Sequence, residues 1–372
     1  MITLIKNGKV VDGRSVTQRD VWIEDRILCA PKAEADCVVD AQGAYILPGF
    51  IDIHTHGAAG VHYGQDDDYT AALDFCARNG VTTILPTLGA NPLDILLERI
   101  GRILREKEKG HPGAAIGGIH MEGPFISEKK KGAMDVPDLP CTEENFNALM
   151  DAGKDQIRVM TIAPERENAC QVIALGRQRG VRMSIGHTYA TYAEARAAID
   201  AGAVGATHTF NAMRSYDHRE PGVLGAVLTD PTITCEAICD TVHIAPATIR
   251  LIHRCKGTEG MILVSDSGSF AGATEGEYVI NGKTRYVKDG VSRLANGTLS
   301  ASCYTLRDDA EKLLAMGFSL CDVVAMGAEN PAKAIGLDET VGSLDIGKDA
   351  DIIFCDDRLN ITGVYTKGVR YV

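Results

Sequence analysis

The chain begins with short, closely spaced apolar stretches, and from about residue 49 the pattern changes to longer apolar strands that alternate with amphipathic segments. The opening stretches lie at 3–5, 10–11 and 21–27, with turn residues between them. Short strands at this spacing predict a small β-sandwich. The alternation that follows is typical of a parallel sheet whose strands are joined by crossover helices.

Eight apolar strands are predicted in the second part of the chain, at about 50–54, 81–86, 115–121, 157–162, 181–186, 204–209, 233–238 and 260–265. Several amphipathic segments between them stop at a glycine, which is typical of a helix C-terminus. These segments are 69–79 before Gly80, 92–109 before Gly110 and 191–201 before Gly202. Eight such units over about 280 residues predict a closed (β/α)8 TIM barrel.

The pattern after the eighth strand predicts how the ends of the chain are used. Residues 276–296 indicate a β-hairpin insertion with turns at Asn281-Gly282, Asp289-Gly290 and Asn296-Gly297, and helical segments follow at about 303–316, 320–327 and 330–335. The tail from residue 342 returns to short strands. We therefore expect residues 1–47 and 341–372 to build the small β-sandwich domain together, with residues 48–340 forming the barrel.

Candidate metal ligands lie where the predicted barrel strands end. Asp52, His54 and His56 share one face of the first strand, because side chains alternate in an extended chain. A His-x-His pair is either a metal-binding pair or two hydrogen-bonded histidines. Four further strands end in a residue that binds metals or moves protons: Glu122, His187, His208 and Asp266. Since barrel active sites lie at these strand ends, the residues together predict a metal site with a carboxylate base beside it.

Other histidines and a lysine run give weaker signals. His120 shares its strand face with Glu122, so it either supports a ligand or is a buried, hydrogen-bonded histidine. The remaining polar groups are interpreted as structural or solvent-exposed, namely His62, His111, His253 and the run Lys129 to Lys131.

Charge and composition argue against some classes of partner and indicate the cellular compartment. Lys and Arg number 38 against 50 Asp and Glu, a net charge of −12, which argues against nucleic acid or an anionic membrane as partner. Eleven cysteines without a C-x-x-C pair predict a reducing compartment and no disulfide framework. No apolar run reaches the roughly 18 residues of a transmembrane helix, and the first residues lack the layout of a signal peptide. We therefore expect a cytoplasmic protein.

Several motifs resemble those of a known enzyme family. The stretches that carry the resemblance most specifically are Glu122-Gly123-Pro124-Phe125, Phe210-Asn211-Ala212-Met213 and His218-Arg219-Glu220-Pro221-Gly222. The chain resembles the N-acetylglucosamine-6-phosphate deacetylases of the metal-dependent amidohydrolase superfamily, nearly from end to end. This resemblance implies a (β/α)8 barrel with a small β-sandwich.

The resemblance also implies roles for the strand-end residues. A divalent ion is expected on Glu122, His187 and His208, and a second ion can be held by His54 and His56 with Glu122 between the two. The expected ion is Zn2+, with Fe2+, Co2+ and Mn2+ as alternatives. Asp266 is expected to take a proton from the attacking water and to return it to the amine.

The substrate implied by the resemblance is N-acetylglucosamine 6-phosphate, which hydrolysis converts to glucosamine 6-phosphate and acetate. Substrate contacts are expected from Ala133, Asn211, Ala212 and His243. Arg219 is expected to pair with the phosphate across the interface of a homodimer, since a guanidinium fork fits a phosphate dianion.

Two departures from the family pattern leave alternatives open. Met134 stands where family members have a histidine that contacts the acyl group, and methionine cannot donate that hydrogen bond. Ser267 and Thr241 also replace the usual residues of the eighth and seventh strand ends. Because these changes surround the sugar, N-acetylgalactosamine 6-phosphate or another amide remains an alternative substrate. A scaffold without catalysis is the third interpretation, and the complete ligand set argues against it.

Overall fold

The computed structural model describes residues 1–280 and 282–372. Its strands are β1 Ile2–Lys6, β2 Lys9–Val11, β3 Val16–Gln18, β4 Val21–Glu24, β5 Ile27–Cys29, β6 Cys37–Asp40, β7 Tyr45–Pro48, β8 Phe50–Thr55, β9 Gly57–Ala58, β10 Val61–His62, β11 Val81–Gly89, β12 Ala115–Ile116, β13 Ile119–Glu122, β14 Ile157–Ile162, β15 Arg182–Ile185, β16 Gly205–Ala206, β17 Thr234–Ala237, β18 Met261–Leu263, β19 Gly276–Ile280, β20 Lys283–Lys288, β21 Val291–Leu294, β22 Ile352–Cys355, β23 Ile361–Thr366 and β24 Val369–Arg370.

The α-helices are α1 Thr70–Arg78, α2 Leu93–Lys109, α3 Glu143–Gly153, α4 Ala169–Gln178, α5 Tyr192–Ala201, α6 Gly222–Thr229, α7 Pro246–Lys256, α8 Leu306–Ala315, α9 Leu320–Val324 and α10 Asn330–Ala334. A short 3-10 helix spans Glu128–Lys130, and a π-helical turn spans Ala325–Glu329. None of the helices in the described residues combines the length and the apolar character that a bilayer crossing needs.

Two small sheets use both ends of the chain. One has the strand order β5-β4-β1-β6, and the other has the order β24-β23-β22-β7-β2-β3. The C-terminal strand β22 pairs with β7, with Ile352 opposite Pro48 and Cys355 opposite Tyr45. A separate apolar cluster, which includes Ile46 and Ile352, lies between these sheets. The predicted small β domain is thus present, while its exact limits at 47 and 341 stay a prediction.

Eight parallel positions form the barrel, in the order β8, β11, β13, β14, β15, β16, β17 and β18. The ring closes just beyond β18, where the Asp266 N–H donates to the His54 carbonyl at 2.9 Å and the His56 N–H donates to the Ser267 carbonyl at 2.7 Å. Helices fill the crossovers. In α2, Leu96, Ile100 and Ile103 recur at helical spacing and are fully buried, which explains why this segment packs as a helix on the barrel.

The structure differs from the sequence expectations at three elements. The sixth barrel strand is only Gly205–Ala206, because the chain turns away before His208. The predicted helix at 320–327 ends at Val324 and continues as the π-helical turn. The insertion after the eighth strand is a three-stranded antiparallel sheet, β19-β20-β21, in place of a simple hairpin. Its first predicted turn includes Asn281, which lies outside the described residues.

Candidate metal centre

Glu122 lies at the centre of the strand-end residues, at the end of β13. Its Oε1 atom lies 2.9 Å from His187 Nε2 and 3.0 Å from His208 Nε2, and those two nitrogens are themselves 3.0 Å apart. The donors of a tetrahedral Zn2+ site with bonds of about 2.0–2.1 Å are separated by about 3.3 Å. The spacing of this trio therefore fits one divalent cation.

A second group of ligand atoms shares Glu122. The other oxygen, Oε2, lies 3.3 Å from His56 Nε2, and Oε1 lies 3.5 Å from His54 Nε2. Asp266 Oδ1 lies 3.2 Å from His56 Nε2 and 3.6 Å from His54 Nε2. Three sets of donors meet metal-binding geometry: Glu122 with His187 and His208, Glu122 with His54 and His56, and Asp266 with His54 and His208.

The charge of this cluster also favours a cation. Burial alone would lower the pKa of His56, yet Asp266 and Glu122 raise it to about 9. The same carboxylates raise the pKa of the buried His54 well above its ordinary value. For Asp266, burial would raise the pKa, but His54 and His56 lower it to about 2, so this carboxylate is ionised at neutral pH. A divalent cation satisfies the same demand for positive charge.

Outer partners turn the imidazole rings toward the centre. Nδ1–H of His187 donates to the carbonyl of Lys130 at 2.8 Å, and Nδ1–H of His56 donates to the carbonyl of Thr87 at 3.2 Å. Each neutral ring then carries its lone pair on Nε2, the nitrogen that faces the centre. The chain thereby selects the tautomer that binds metal.

Glu236 is a site residue that the sequence analysis did not single out. It lies on β17, is fully buried, and places Oε2 3.4 Å from His54 Nδ1. A carboxylate in this position orients a metal-binding histidine and raises its basicity. The available signal was an acidic residue inside an otherwise apolar strand, which is rare unless it is paired.

Three of the strand-end residues have a left-handed backbone. The φ angles are 46° for His187, 28° for His208 and 48° for Asp266. Residues other than glycine rarely adopt this conformation, and such strain concentrates at functional sites. The turn after each strand therefore aims the side chain back over the barrel mouth.

A cavity of about 400 Å³ opens above the cluster. Of the predicted substrate contacts, Ala133, Asn211, Ala212 and His243 line it, together with His56, Glu122, His187, His208 and Asp266. His243 is held by Asp240, whose Oδ2 accepts from Nδ1–H at 2.6 Å. Arg219 is exposed and lies outside the cavity wall of a single chain.

Comparisons with known proteins agree with this architecture. The family model of the Amidohydrolase family matches residues 45–370. The chain belongs to the amidohydrolase family. The family implies a divalent metal ion, and the donor sets around Glu122 can hold one.

Two curated relatives and one solved structure are similar to this amidohydrolase over nearly their whole length. An N-acetylgalactosamine-6-phosphate deacetylase of Escherichia coli O157:H7 is 32% identical and covers 96% of this chain and 98% of the relative. An N-acetylglucosamine-6-phosphate deacetylase of Bos taurus is 31% identical and covers 97% and 93%. A mutant Mycobacterium smegmatis N-acetyl-D-glucosamine-6-phosphate deacetylase, solved with N-acetyl-D-glucosamine-6-phosphate, has a TM-score of 0.91 at 33% identity and covers 100% and 99%.

Met134 faces the reacting end of the cavity in this amidohydrolase. Its sulfur accepts a hydrogen bond from the Ala90 N–H at 3.2 Å, and a Cβ added to Gly89 would lie 2.8 Å from that sulfur and 3.7 Å from Glu122 Oε2. Gly89 is therefore needed to leave room for the methionine. The thioether fills space beside Glu122 without offering a hydrogen-bond donor.

His62 lines the cavity as well, so it is more than the surface or structural residue that the sequence analysis expected. Burial, the nearby His56 and the cations Arg99 and Arg285 lower its pKa to about 3, so the ring is neutral. Its single N–H donates from Nδ1 to the Tyr63 carbonyl at 3.0 Å. Nε2 is consequently an acceptor, and His62 cannot replace a donating histidine.

The remaining weaker candidates belong to none of the three donor sets. His120 is buried and neutral, its Nδ1 lies 3.0 Å from the Ile53 carbonyl, and its ring supports His54 at a centroid distance of 4.5 Å. His253 contacts Thr258 at 3.0 Å. The lysine run contributes the Lys130 carbonyl that orients His187, while the Lys129 and Lys130 ammonium groups lie over the Tyr189 ring.

Proposed function

We propose that this amidohydrolase removes the acetyl group of N-acetylglucosamine 6-phosphate, which yields glucosamine 6-phosphate and acetate in amino-sugar catabolism. The observation that carries the proposal is the convergence of Glu122, Asp266 and four imidazoles at the base of one cavity. Relatives similar over nearly their whole length bear this activity in their names.

The proposed metal is Zn2+, with Fe2+, Co2+ and Mn2+ as alternatives, held by Glu122, His187 and His208. His54 and His56 are proposed to hold a second ion. Such an ion supplies Lewis acidity to an amide carbonyl and makes bound water more acidic. The mixed nitrogen and oxygen donors suit any of these metals.

Asp266 is proposed to move the proton. It is ionised and lines the cavity beside His54 and His56, so it can accept the proton of the attacking water. The protonated carboxyl then donates to the departing nitrogen, which leaves as an amine. Without this transfer an amide anion would have to leave, which is far less favourable.

Recognition of the sugar is proposed for the opposite wall of the cavity. Ala133, Asn211, Ala212 and His243 line the space in which the sugar would lie. The exposed Arg219 is proposed to reach the phosphate in the partner subunit of a homodimer, since it lies outside the cavity wall of its own chain. All eleven cysteines are free, which supports our proposal of a cytosolic protein.

N-acetylgalactosamine 6-phosphate is the second candidate substrate. The relative from Escherichia coli O157:H7 named for that epimer is 32% identical, against 31% for the bovine glucosamine enzyme. Overall similarity therefore favours neither sugar.

Acetate release from a panel of N-acetyl sugars tests the proposal. The panel pairs N-acetylglucosamine, N-acetylgalactosamine and N-acetylmannosamine with their 6-phosphates, and each is assayed with metal-loaded and chelator-treated protein. We expect metal-dependent release that is fastest with N-acetylglucosamine 6-phosphate. Absence of release from all six sugars would refute the deacetylase assignment, while a preference for the galactose epimer would select the second candidate.

A further inference from the structure

Arg285 is a buried cation on the insertion strand β20, and it lines the same cavity as the metal ligands. Only 8% of the residue is exposed. Its Nε donates to Ser300 Oγ at 2.8 Å, and Nη1 donates to the carbonyls of Ile280 at 2.7 Å and Lys283 at 3.3 Å. These acceptors fix the guanidinium but carry no charge.

No carboxylate of the described residues forms an ion pair with Arg285. A buried charge without a counter-ion is costly, and here burial lowers the pKa of the guanidinium without an acidic group to offset it. Such a residue gains most when a ligand brings the missing negative charge. Its position in the cavity wall gives a ligand access to it.

Two further cations line the same region. Lys283, also on β20, contacts the Ala133 carbonyl at 3.2 Å and Asp135 at 2.8 Å, so it joins the insertion to the loop that carries Met134. Arg99 of α2 lines the cavity as well, and it lies near enough to His62 to act on that ring together with Arg285. The cations therefore come from separate elements that meet at one side of the mouth.

Lys283 reaches the proposed sugar wall at the Ala133 carbonyl, whereas Arg99 lies across the mouth from Asn211 and Ala212. Arg99 follows β11, the second barrel strand, whereas Asn211 and Ala212 follow β16, the sixth strand. Positions four apart in a ring of eight strands lie opposite each other. The metal ligands line the same cavity as Arg99 and Asn211, so a substrate that reacts there can contact both.

We propose that Arg285, supported by Lys283 and Arg99, forms an anion-binding subsite that recognises a negatively charged group of the substrate within one chain. The inference rests on the proposed amide hydrolysis and extends it to substrate class. The group is a phosphate or carboxylate, because a fixed guanidinium fork suits either. It is carried either by the sugar or by the acyl chain.

Three substrates separate these sources: N-acetylglucosamine 6-phosphate, neutral N-acetylglucosamine, and N-succinylglucosamine, whose acyl chain ends in a carboxylate. The variants are Arg285→Met, Arg285→Lys and the control Lys288→Met, whose cation lies on the same strand but is exposed and outside the cavity. Each is assayed as the metal-loaded protein after its metal content and thermal unfolding have been measured.

We expect Arg285→Met to lower the ratio of kcat/KM for an anionic substrate to that for the neutral one at least tenfold. Arg285→Lys should restore part of the ratio, and Lys288→Met should leave it unchanged. A fall confined to the 6-phosphate assigns the subsite to the sugar phosphate, and a fall confined to the succinyl substrate assigns it to the acyl group. Equal loss on all three substrates, or no loss, would overturn the proposal.

A binding measurement keeps the test independent of the proposed activity. Inorganic phosphate and succinate are titrated calorimetrically into wild-type holoenzyme, Arg285→Met and Arg285→Lys. We expect Arg285→Met to weaken binding of one of the anions at least tenfold at equal metal content. Unchanged binding of both would refute the subsite even if the deacetylase activity is present. Weakened binding without any amide hydrolysis would retain the subsite and refute only the proposed function.

Discussion

Glu236 Oε2 lies 3.4 Å from His54 Nδ1, on the side of the ring that faces away from Glu122. The contact joins the seventh barrel strand to the first, although the two residues are 182 positions apart in the chain. With Nδ1–H donated to Glu236, Nε2 of His54 is free to bind an ion. The contact between Glu236 and His54 therefore affects the proposed second ion, on His54 and His56, more directly than the first ion.

Glu236→Gln tests this control. The amide is nearly isosteric but a weaker acceptor, so we expect affinity for a second ion to fall about 10-fold to 100-fold. Metal titration followed by dialysis and elemental analysis gives the stoichiometry at each site. Glu144→Gln, an exposed change of the same chemistry, is the control. Equal loss of both ions would assign Glu236 to the fold as a whole.

His208→Ala is expected to remove the ion bound with Glu122 and His187. The variant lacks one of three donors whose atoms lie within about 3 Å of one another. Metal content by mass spectrometry should fall well below that of the wild type. His253→Ala, which alters a histidine outside the cavity wall, should keep its metal. Wild-type metal content in His208→Ala would contradict the ligand assignment.

Asp266→Asn is expected to keep the fold and most of the metal but to lose activity about a hundredfold or more, as loss of a general acid and base does. Asparagine tolerates the left-handed φ of 48° at this position, so the backbone should not change. Acetate release and metal content are measured on the same sample. Turnover near that of the wild type would mean that another group moves the proton.

Arg219→Ala is expected to raise KM for N-acetylglucosamine 6-phosphate far more than for N-acetylglucosamine, since a charge-assisted pair is lost only with the phosphate. The neighbouring exposed His218→Ala serves as the control. Because the proposed contact crosses a dimer interface, mixing Arg219→Ala with Asp266→Asn should restore part of the activity. A similar change in KM for both sugars would assign Arg219 to structure.

Met134→His tests whether the cavity lacks a donor to the acyl carbonyl. His62 cannot supply it, because its only N–H is used by Tyr63. If the donor is missing, the histidine should raise kcat/KM on N-acetylglucosamine 6-phosphate about tenfold, or about 1.4 kcal/mol. If wild-type turnover is already fast and Met134→His brings no gain, another cavity group supplies the donor to the acyl carbonyl. Arg285 would then be examined first.

The sequence predicted those parts of the site that follow from strand position. Glu122 ends β13, while His187, His208 and Asp266 follow β15, β16 and β18 within three residues, and the closure of a barrel brings all strand ends to one rim. Strand alternation alone was not sufficient at Asp52, which was expected to share a face with His54, because the pairing of β8 with β11 shifts register between Asp52 and Thr55. Ile51 and Ile53 pack in one apolar cluster with Val159 and Ile262 of the fourth and eighth strands, so they face the interior of the ring, while Asp52 accepts from the Ser265 hydroxyl.

Other site residues depend on contacts that no local pattern encodes. Glu236 meets His54 only because β17 and β8 lie on the same ring, and a single acidic residue within a strand does not reveal its partner. Arg285 lies on an inserted sheet whose fold over the mouth does not follow from barrel periodicity. His208 was expected on a continuous strand, but the chain leaves the sheet after Ala206.

The left-handed backbone at His187, His208 and Asp266 lowers the stability of the fold but positions side chains that the proposed activity needs. Each non-glycine residue in this conformation costs on the order of 1–2 kcal/mol that glycine would not. Selection of variant libraries for heat resistance alone should therefore enrich glycine or asparagine at these three positions. The most heat-resistant clones would then be the ones that no longer hydrolyse the amide, so such a screen must include turnover from its first round.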